Sequence, residues 1–216
     1  MAATRVAAGR TLLPVLGQPP PERADAARNR RALLAAAHTI MVESGIDALT
    51  MDRVAAAAGV GVGTVYRRFG DLGGLAFALL DDEEREFQRS YLSGPPPLGP
   101  GAPPAERIRA FLHAMVDRME TAGDLHALAE SRSATARFVS GAYRTARTHL
   151  VALLREVQHH DAAYRADALL ALVATNLILY QRRELGLSQA RIKAGLDGVL
   201  DALLNAGACP GVRATN

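Results

Sequence analysis

The stretch Thr50–Phe69, "TMDRVAAAAGVGVGTVYRRF", decides how the whole chain is read. Its second half, from Gly59 to Phe69, places glycines at every second position and then two arginines, a pattern suited to a loop that wraps phosphate. The phosphate belongs either to a nucleotide cofactor or to the backbone of DNA. A dinucleotide-binding loop needs G-x-G-x-x-G directly after a buried strand and an acidic residue about twenty positions on. Here the third glycine comes one residue early, the preceding "RVAAAA" is a helix former, and no acidic residue closes a second strand. A helix-turn-helix needs a short helix, a tight turn with glycine, and a second helix to enter the major groove. Thr50 is a good N-cap for a helix Met51–Ala58. Gly59 permits the positive φ of the turn, and Val62–Phe69 follows as the second helix. Val54 and Val65 would point into the shared core.

The chemistry of the second helix fits DNA. Its N-terminal amides favour an anion, and Gly63 and Thr64 leave room for a backbone to approach. Tyr66 can donate its hydroxyl to phosphate, and Arg67 and Arg68 can bind phosphate or fork onto guanine. The DNA-binding set read from these residues is Gly63, Thr64, Tyr66, Arg67 and Arg68.

At these residues the chain resembles a known family. "LTMDRVAAAAGVGVGTVYRRFGDLGGL" is similar to the DNA-binding region of the tetracycline-repressor (TetR) family of bacterial regulators, over roughly residues 28–80. Thr50, Ala58-Gly59-Val60, Gly63-Thr64-Val65-Tyr66 and Phe69 keep the family pattern. The resemblance implies Thr50, Gly63, Thr64 and Tyr66 at or near phosphates, with Val62, Thr64, Arg67 and Arg68 facing bases or backbone, and so adds Thr50, Gly61 and Val62 to the expected DNA-binding set. Two positions depart from it. Gly61 replaces the usual serine, losing a capping oxygen at a cost of only a few tenths of a kcal/mol. Leu72 replaces the usual lysine and is followed by Gly73 and Gly74, which removes a phosphate contact and softens the start of the next helix.

Composition agrees with a helical protein. Hydrophobic residues make up 49% of 216 and aromatics 5%; there is no Trp, and Ala, Leu and Arg dominate. That mix packs a core and favours helix. The net charge of +3 is small, but Arg5, Arg10, Arg23, Arg28, Arg30 and Arg31 gather near the N-terminus against Glu22 and Asp25. Lys193 is the only lysine, a usage that a GC-rich coding bias explains. Cys209 stands alone, so a reducing compartment and a cytoplasmic location are expected, with no membrane partner. The apolar run Ala168–Tyr180 is too short for a bilayer.

The expected architecture is all-α: an N-terminal helix-turn-helix domain of three helices and a larger helical body for ligand binding and dimerisation. The divisions are a flexible arm (1–24), the DNA-binding domain (25–72), a connecting helix (73–92), the Pro/Gly loop "SGPPPLGPGAPP" (93–104), the body (105–207) and a tail (208–216). Within the body, Ile108 to Met119 follow helical spacing, and a short separate helix is expected after Gly123. Val139 to Val157 mark one face of a long helix, Asp167–Gln181 is apolar nearly all round, and Ile192–Leu203 form a final amphipathic helix.

Two sets of body residues follow. Phe111, Met115, Met119, Tyr143 and Tyr180 are candidate walls for a small apolar or amphipathic ligand, with Asn176 as its polar anchor; core packing is the plainer role for each. Leu170, Val173, Leu177, Leu196, Val199, Leu200 and Leu203 are candidates for a two-fold, four-helix dimer contact. His159-His160-Asp161 lacks further ligands at metal spacing, so no metal or other cofactor is expected. Ser131 and Ser133 near His126 and Glu130 show no elbow or oxyanion feature, so no catalytic residue is assigned. Arg182-Arg183-Glu184 reads as a solvated helix end. The function expected is a homodimeric repressor released from a palindromic double-stranded operator by a small molecule. A non-specific architectural DNA-binding protein and a helical enzyme are the alternatives.

Overall fold

Thr50 begins the folding logic of the head. Its backbone is extended and its Oγ1 accepts from the Arg53 amide at 3.2 Å, satisfying one of the donors a helix start leaves open. Asp71 does the same two helices later, its Oδ1 accepting from the Gly74 amide at 2.7 Å. The computed structural model describes residues 24–131, 133, 135–157 and 160–205. Those residues form ten α-helices and one 3-10 turn, with no strand among them. The arm that carries Arg5 and Arg10, and the tail with Cys209, lie outside the described residues, as does His159.

The head comprises α1 (Ala24–Ser44), the 3-10 turn Ile46–Ala48, α2 (Met51–Ala57), α3 (Val62–Phe69) and the first turns of α4 (Leu72–Ser93). Leu33, Ala37 and Ile40 of α1 meet Val54, Val65 and Leu75 in one buried cluster, with Val54 and Val65 both fully buried. The body comprises the rest of α4, α5 (Pro104–Glu130), α6 (Ala136–Val139), α7 (Gly141–Glu156), α8 (Ala162–Leu172), α9 (Thr175–Arg183) and α10 (Gln189–Asn205). Its core runs from Phe87 and Tyr91 of α4 through Phe111, Leu112 and Val116 of α5 to Leu150, Leu169 and Leu200. Helix α4 therefore serves both cores: Leu75 packs in the head, Phe87 and Tyr91 in the body. Between them Ala76 and Leu80 meet Ala129 of α5.

Several helices differ from the sequence expectation, each for a physical reason. Helix α5 runs without a break through Gly123 to Glu130. Gly123 is a notch rather than a stop: a Cβ there would come within 2.8 Å of the Leu179 side chain of α9. The apolar run 167–181 is two helices, α8 and α9, divided at Val173–Ala174, where Ala174 is extended. The β-branched Val173 and Thr175 weaken helix there, and Thr175 is buried with its hydroxyl donating to Glu130 of α5 at 3.2 Å. Val139 ends the short α6 instead of opening the long helix, and it is exposed. Arg182 and Arg183 are not simply solvated: they pair with Glu120 and Asp124 of α5.

The segment Ala162–Arg183 is long and apolar enough, by length and composition, to cross a membrane. In the fold it is the interrupted pair α8–α9, and Ala166, Leu169, Leu170, Val173 and Ile178 lie in the body core, which accounts for its composition.

Candidate nucleic-acid interface and the cleft behind it

The turn between α2 and α3 is built as the alanine- and glycine-rich sequence demands. Gly59 has φ 66°, the left-handed conformation that glycine adopts without a Cβ penalty. Small Ala55, buried, lets α2 lie close to α3. Gly61 is extended and caps α3 without a side-chain bond, so the amides at that helix start keep their capacity for an outside acceptor.

Helix α3 buries Val65 completely and turns its other side outward. Val62 is 36% exposed and Tyr66 48% exposed, and Gly61, Gly63 and Arg67 are also exposed. A Cβ at Gly63 would meet only open space, so this side has clearance for a ligand's backbone. Thr50 is exposed at the neighbouring start of α2. These residues share one outward surface of the motif.

Two of the expected set sit differently. Thr64 is half-buried and, with the exposed Arg67 and with Arg68, lines a crevice against Ala26, Asn29, Arg30 and Leu33 of α1. Arg68 is half-buried too, and its Nη2 donates to the carbonyl of Ala26 at 3.2 Å. Arg68 is on the flank of α3 that faces α1, so it ties the two helices together. The pair "RR" carried no signal for this, because adjacent residues diverge by about 100° around a helix. The glycines after Leu72 also have a positive role. A Cβ at Gly74 would overlap the Phe69 carbonyl oxygen, so glycine there is what lets α4 start directly against the end of α3.

Behind the head lies a cleft of ≈ 1410 Å³. Its walls come from both parts of the molecule: Arg30, Arg68 and Phe69 from the head, and Phe87, Met115, Arg137 and Tyr143 from the body. Of the expected ligand residues, Met115, Met119 and Tyr143 line it. Phe111 does not; it is fully buried in a ring cluster with Phe87, Tyr91 and His149. Asn176 is exposed and its Oδ1 accepts from the next amide, Leu177, at 2.9 Å. Tyr180 is 51% exposed on the outer surface of α9. Neither belongs to the cleft, which α9 lines only through its first residue, Thr175.

The cleft has polar groups that periodicity did not single out. Arg118 donates to Glu83 at 3.1 Å and Glu84 at 2.9 Å and lies 4.3 Å from the Phe87 ring centre. Burial, then the charges of Arg118 and Arg137, push the His126 pKa down to about 4, so its ring is neutral at pH 7. Burial raises Glu130 above the usual carboxylate value, against the pull of Arg137 and the Thr175 hydroxyl. Arg118 was visible in principle as a charge between Met115 and Met119 on an otherwise apolar helix face. The Ser131 hydroxyl donates to the Leu128 carbonyl at 2.7 Å and Ser133 pairs with Thr135 at 3.4 Å, while His126 faces Arg118. No serine–histidine pair is assembled from these residues. No group of three or more metal-binding side chains occurs among the described residues.

The expected dimer residues also divide. Leu170, Val173, Leu196 and Leu200 are buried in this chain's own core, so they have no surface to offer a partner. Leu177 and Leu203 are half-buried, and Val199 is 46% exposed. The correction arises because helical spacing identifies an apolar face without saying what covers it.

Residues 33–79 match the family model described as bacterial regulatory proteins, tetR family. That span holds the turn at Gly59, the outward side of α3 and the start of α4. That segment of the chain is thus a tetR-type DNA-binding region. It is similar to an HTH-type transcriptional regulator of Staphylococcus aureus (strain bovine RF122 / ET3-1), with 35% identity over 65 residues. The match spans 30% of this chain and only 35% of the length of that relative. Solved structures extend the likeness of fold to the body. A transcriptional regulator from Rhodococcus sp. Rha1 superposes with a TM-score of 0.58 at 23% identity, covering 84% of this chain and 99% of that one. NalD of Pseudomonas aeruginosa, the secondary repressor of the MexAB-OprM multidrug efflux pump, gives a TM-score of 0.52 at 18% identity, covering 83% and 97%. The fold is thus the one those structures share, an N-terminal helix-turn-helix with a helical C-terminal body.

Proposed function

We propose that this chain is a homodimeric repressor of the TetR family that binds a near-palindromic DNA operator and is released from it by a small molecule. The observation that carries the reading is α3: Val65 is sealed in the core while Val62, Gly63, Tyr66 and Arg67 stand exposed on the other side. In the major groove that surface would read base edges, and Thr50 and Tyr66 would hold phosphates. Ligand control is supported by the cleft, whose walls include Arg30 and Arg68 of the head. An occupant that prefers one placement of the head lowers DNA affinity by its differential affinity for the two states, and by no more. Dimerisation is supported by apolar side chains turned outward on and after α9 and on α10, namely Tyr180, Leu185 and Val199. Two copies would set their recognition helices about 34 Å apart, one turn of duplex.

The decisive experiment is selection of bound duplexes from a random pool, followed by anisotropy titration of the winners. Enrichment of a sequence with two-fold symmetry supports the proposal. Recovery of an unenriched pool with steep salt dependence would point to non-specific binding instead.

A further inference from the structure

The charges around the cleft are mostly settled among themselves. Arg30 and Arg85 pair with Asp81, and Arg118 with Glu83 and Glu84. Arg137 is different. It lines the cleft from α6, and no carboxylate lies within ion-pair distance of it among the described residues. One of its N–H groups donates to the Leu170 carbonyl at 2.8 Å, and its guanidinium lies 5.6 Å from the Tyr143 ring centre. A guanidinium has five N–H donors, so capacity remains after that bond. An acidic group in its field is Glu130, which accepts from the Thr175 hydroxyl and whose pKa burial raises. Phe77, Phe87, Met115, Met119 and Val173 supply apolar wall to the same cleft.

Building on the ligand-released reading above, we propose that the cleft takes an amphipathic monoanion, a carboxylate on an apolar body, with the charge on Arg137 and the body along Phe77, Phe87 and Met115. A planar carboxylate matches the fork of a guanidinium, and a partly desolvated site strengthens the pairing. A cation is disfavoured by the same geometry, because Asp81 and Glu84 are already paired and Arg137 would repel it.

The test is direct calorimetric binding to the full chain without DNA, using decanoate, decan-1-ol, methyl decanoate and decylammonium. Decanoate is expected to bind at least tenfold more tightly than the two neutral probes, and decylammonium most weakly. Arg137→Gln is expected to bring decanoate to within about twofold of decan-1-ol. Helical signal and thermal midpoint close to those of the unaltered chain check that the variant is folded. Arg137→Lys is expected to keep much of the preference. If Arg137→Gln does not fold, the comparison of decanoate with its methyl ester on the unaltered chain decides. Neutral or cationic probes binding as tightly as decanoate would overturn the anion assignment and leave the ligand reading intact. Absence of binding by all four probes would overturn both.

Discussion

The Arg68 guanidinium, on α3, donates to the Ala26 carbonyl of α1 at 3.2 Å, whereas Arg67 beside it stands exposed. Neighbours in sequence thus differ in burial, and different effects are expected of their removal. Arg67→Ala is expected to weaken operator binding by about 1–3 kcal/mol if it reads a base, or to lower the salt slope by about one unit if it holds a phosphate. It should leave the melting temperature unchanged. Arg68→Ala is expected to lower stability by about 1 kcal/mol, through the lost hydrogen bond. Thermal denaturation alongside anisotropy titration separates the two outcomes.

Two glycines in helices should respond to alanine with opposite sign. In an ordinary helix interior Gly→Ala adds roughly 0.5–1 kcal/mol. Gly63→Ala meets open space and should follow that rule, yet it should reduce DNA affinity by filling the clearance on α3. Gly74→Ala places its methyl on the Phe69 carbonyl and should destabilise despite its better helix propensity. Urea midpoints at constant m-value would check both; a stabilised Gly74→Ala would mean that α4 starts elsewhere.

Buried histidines predict an acid-sensitive body. Burial and then Arg107 push His149 down to about 4, and His126 is held near the same value by burial, Arg118 and Arg137. The unfolded chain takes up these protons near pH 6.5 and the folded chain only near pH 4. Stability should therefore fall as pH drops from about 6.5 to about 4, and flatten below that as far as these two groups are concerned. His149→Phe, which keeps a ring against Tyr91 and Phe111, should make the slope shallower. Denaturant midpoints collected between pH 4 and pH 7 are the measurement, and an unchanged slope in the variant would refute the assignment.

Adjacent residues of α10 offer a test of dimerisation. Val199 is exposed and Leu200 is fully buried in the chain's own core. Val199→Glu is expected to shift dimer toward monomer in sedimentation velocity with little loss of helical signal. Leu200→Ala is expected to cost about 2–5 kcal/mol of stability, as core truncations do. If Val199→Glu leaves the sedimentation coefficient unchanged, this face of α10 is not the contact.

How much of this was legible beforehand depends on the range of the interaction. Thr50 and Asp71 are caps that act within three residues, and both were readable from residue type alone. Helix α3 fell at Val62–Phe69 as expected, because a glycine-bounded helix with one buried valine leaves little choice. The body was legible as helical but not in its partners. Gly123 looks like a stop until Leu179, far along the chain, is seen to fill its notch. Leu196 and Leu200 look like an interface stripe until α10 is seen packed on α5. The charged lining of the cleft was hidden for the same reason. Arg118 belongs with Glu83 and Glu84, and Thr175 with Glu130, only once α4, α5 and α9 have met.

The notch at Gly123 also bears on how the molecule can bend. Leu179 seats in it, and Arg182 and Arg183 clasp Glu120 and Asp124 on either side. A knob held in a socket between two latches resists sliding along the axis of α5. The opposite flank of α5 is clasped too, Arg118 holding Glu83 and Glu84 of α4. Helix α5 therefore serves as the anvil of the body, and α4, the helix that continues into the head, is fastened to it.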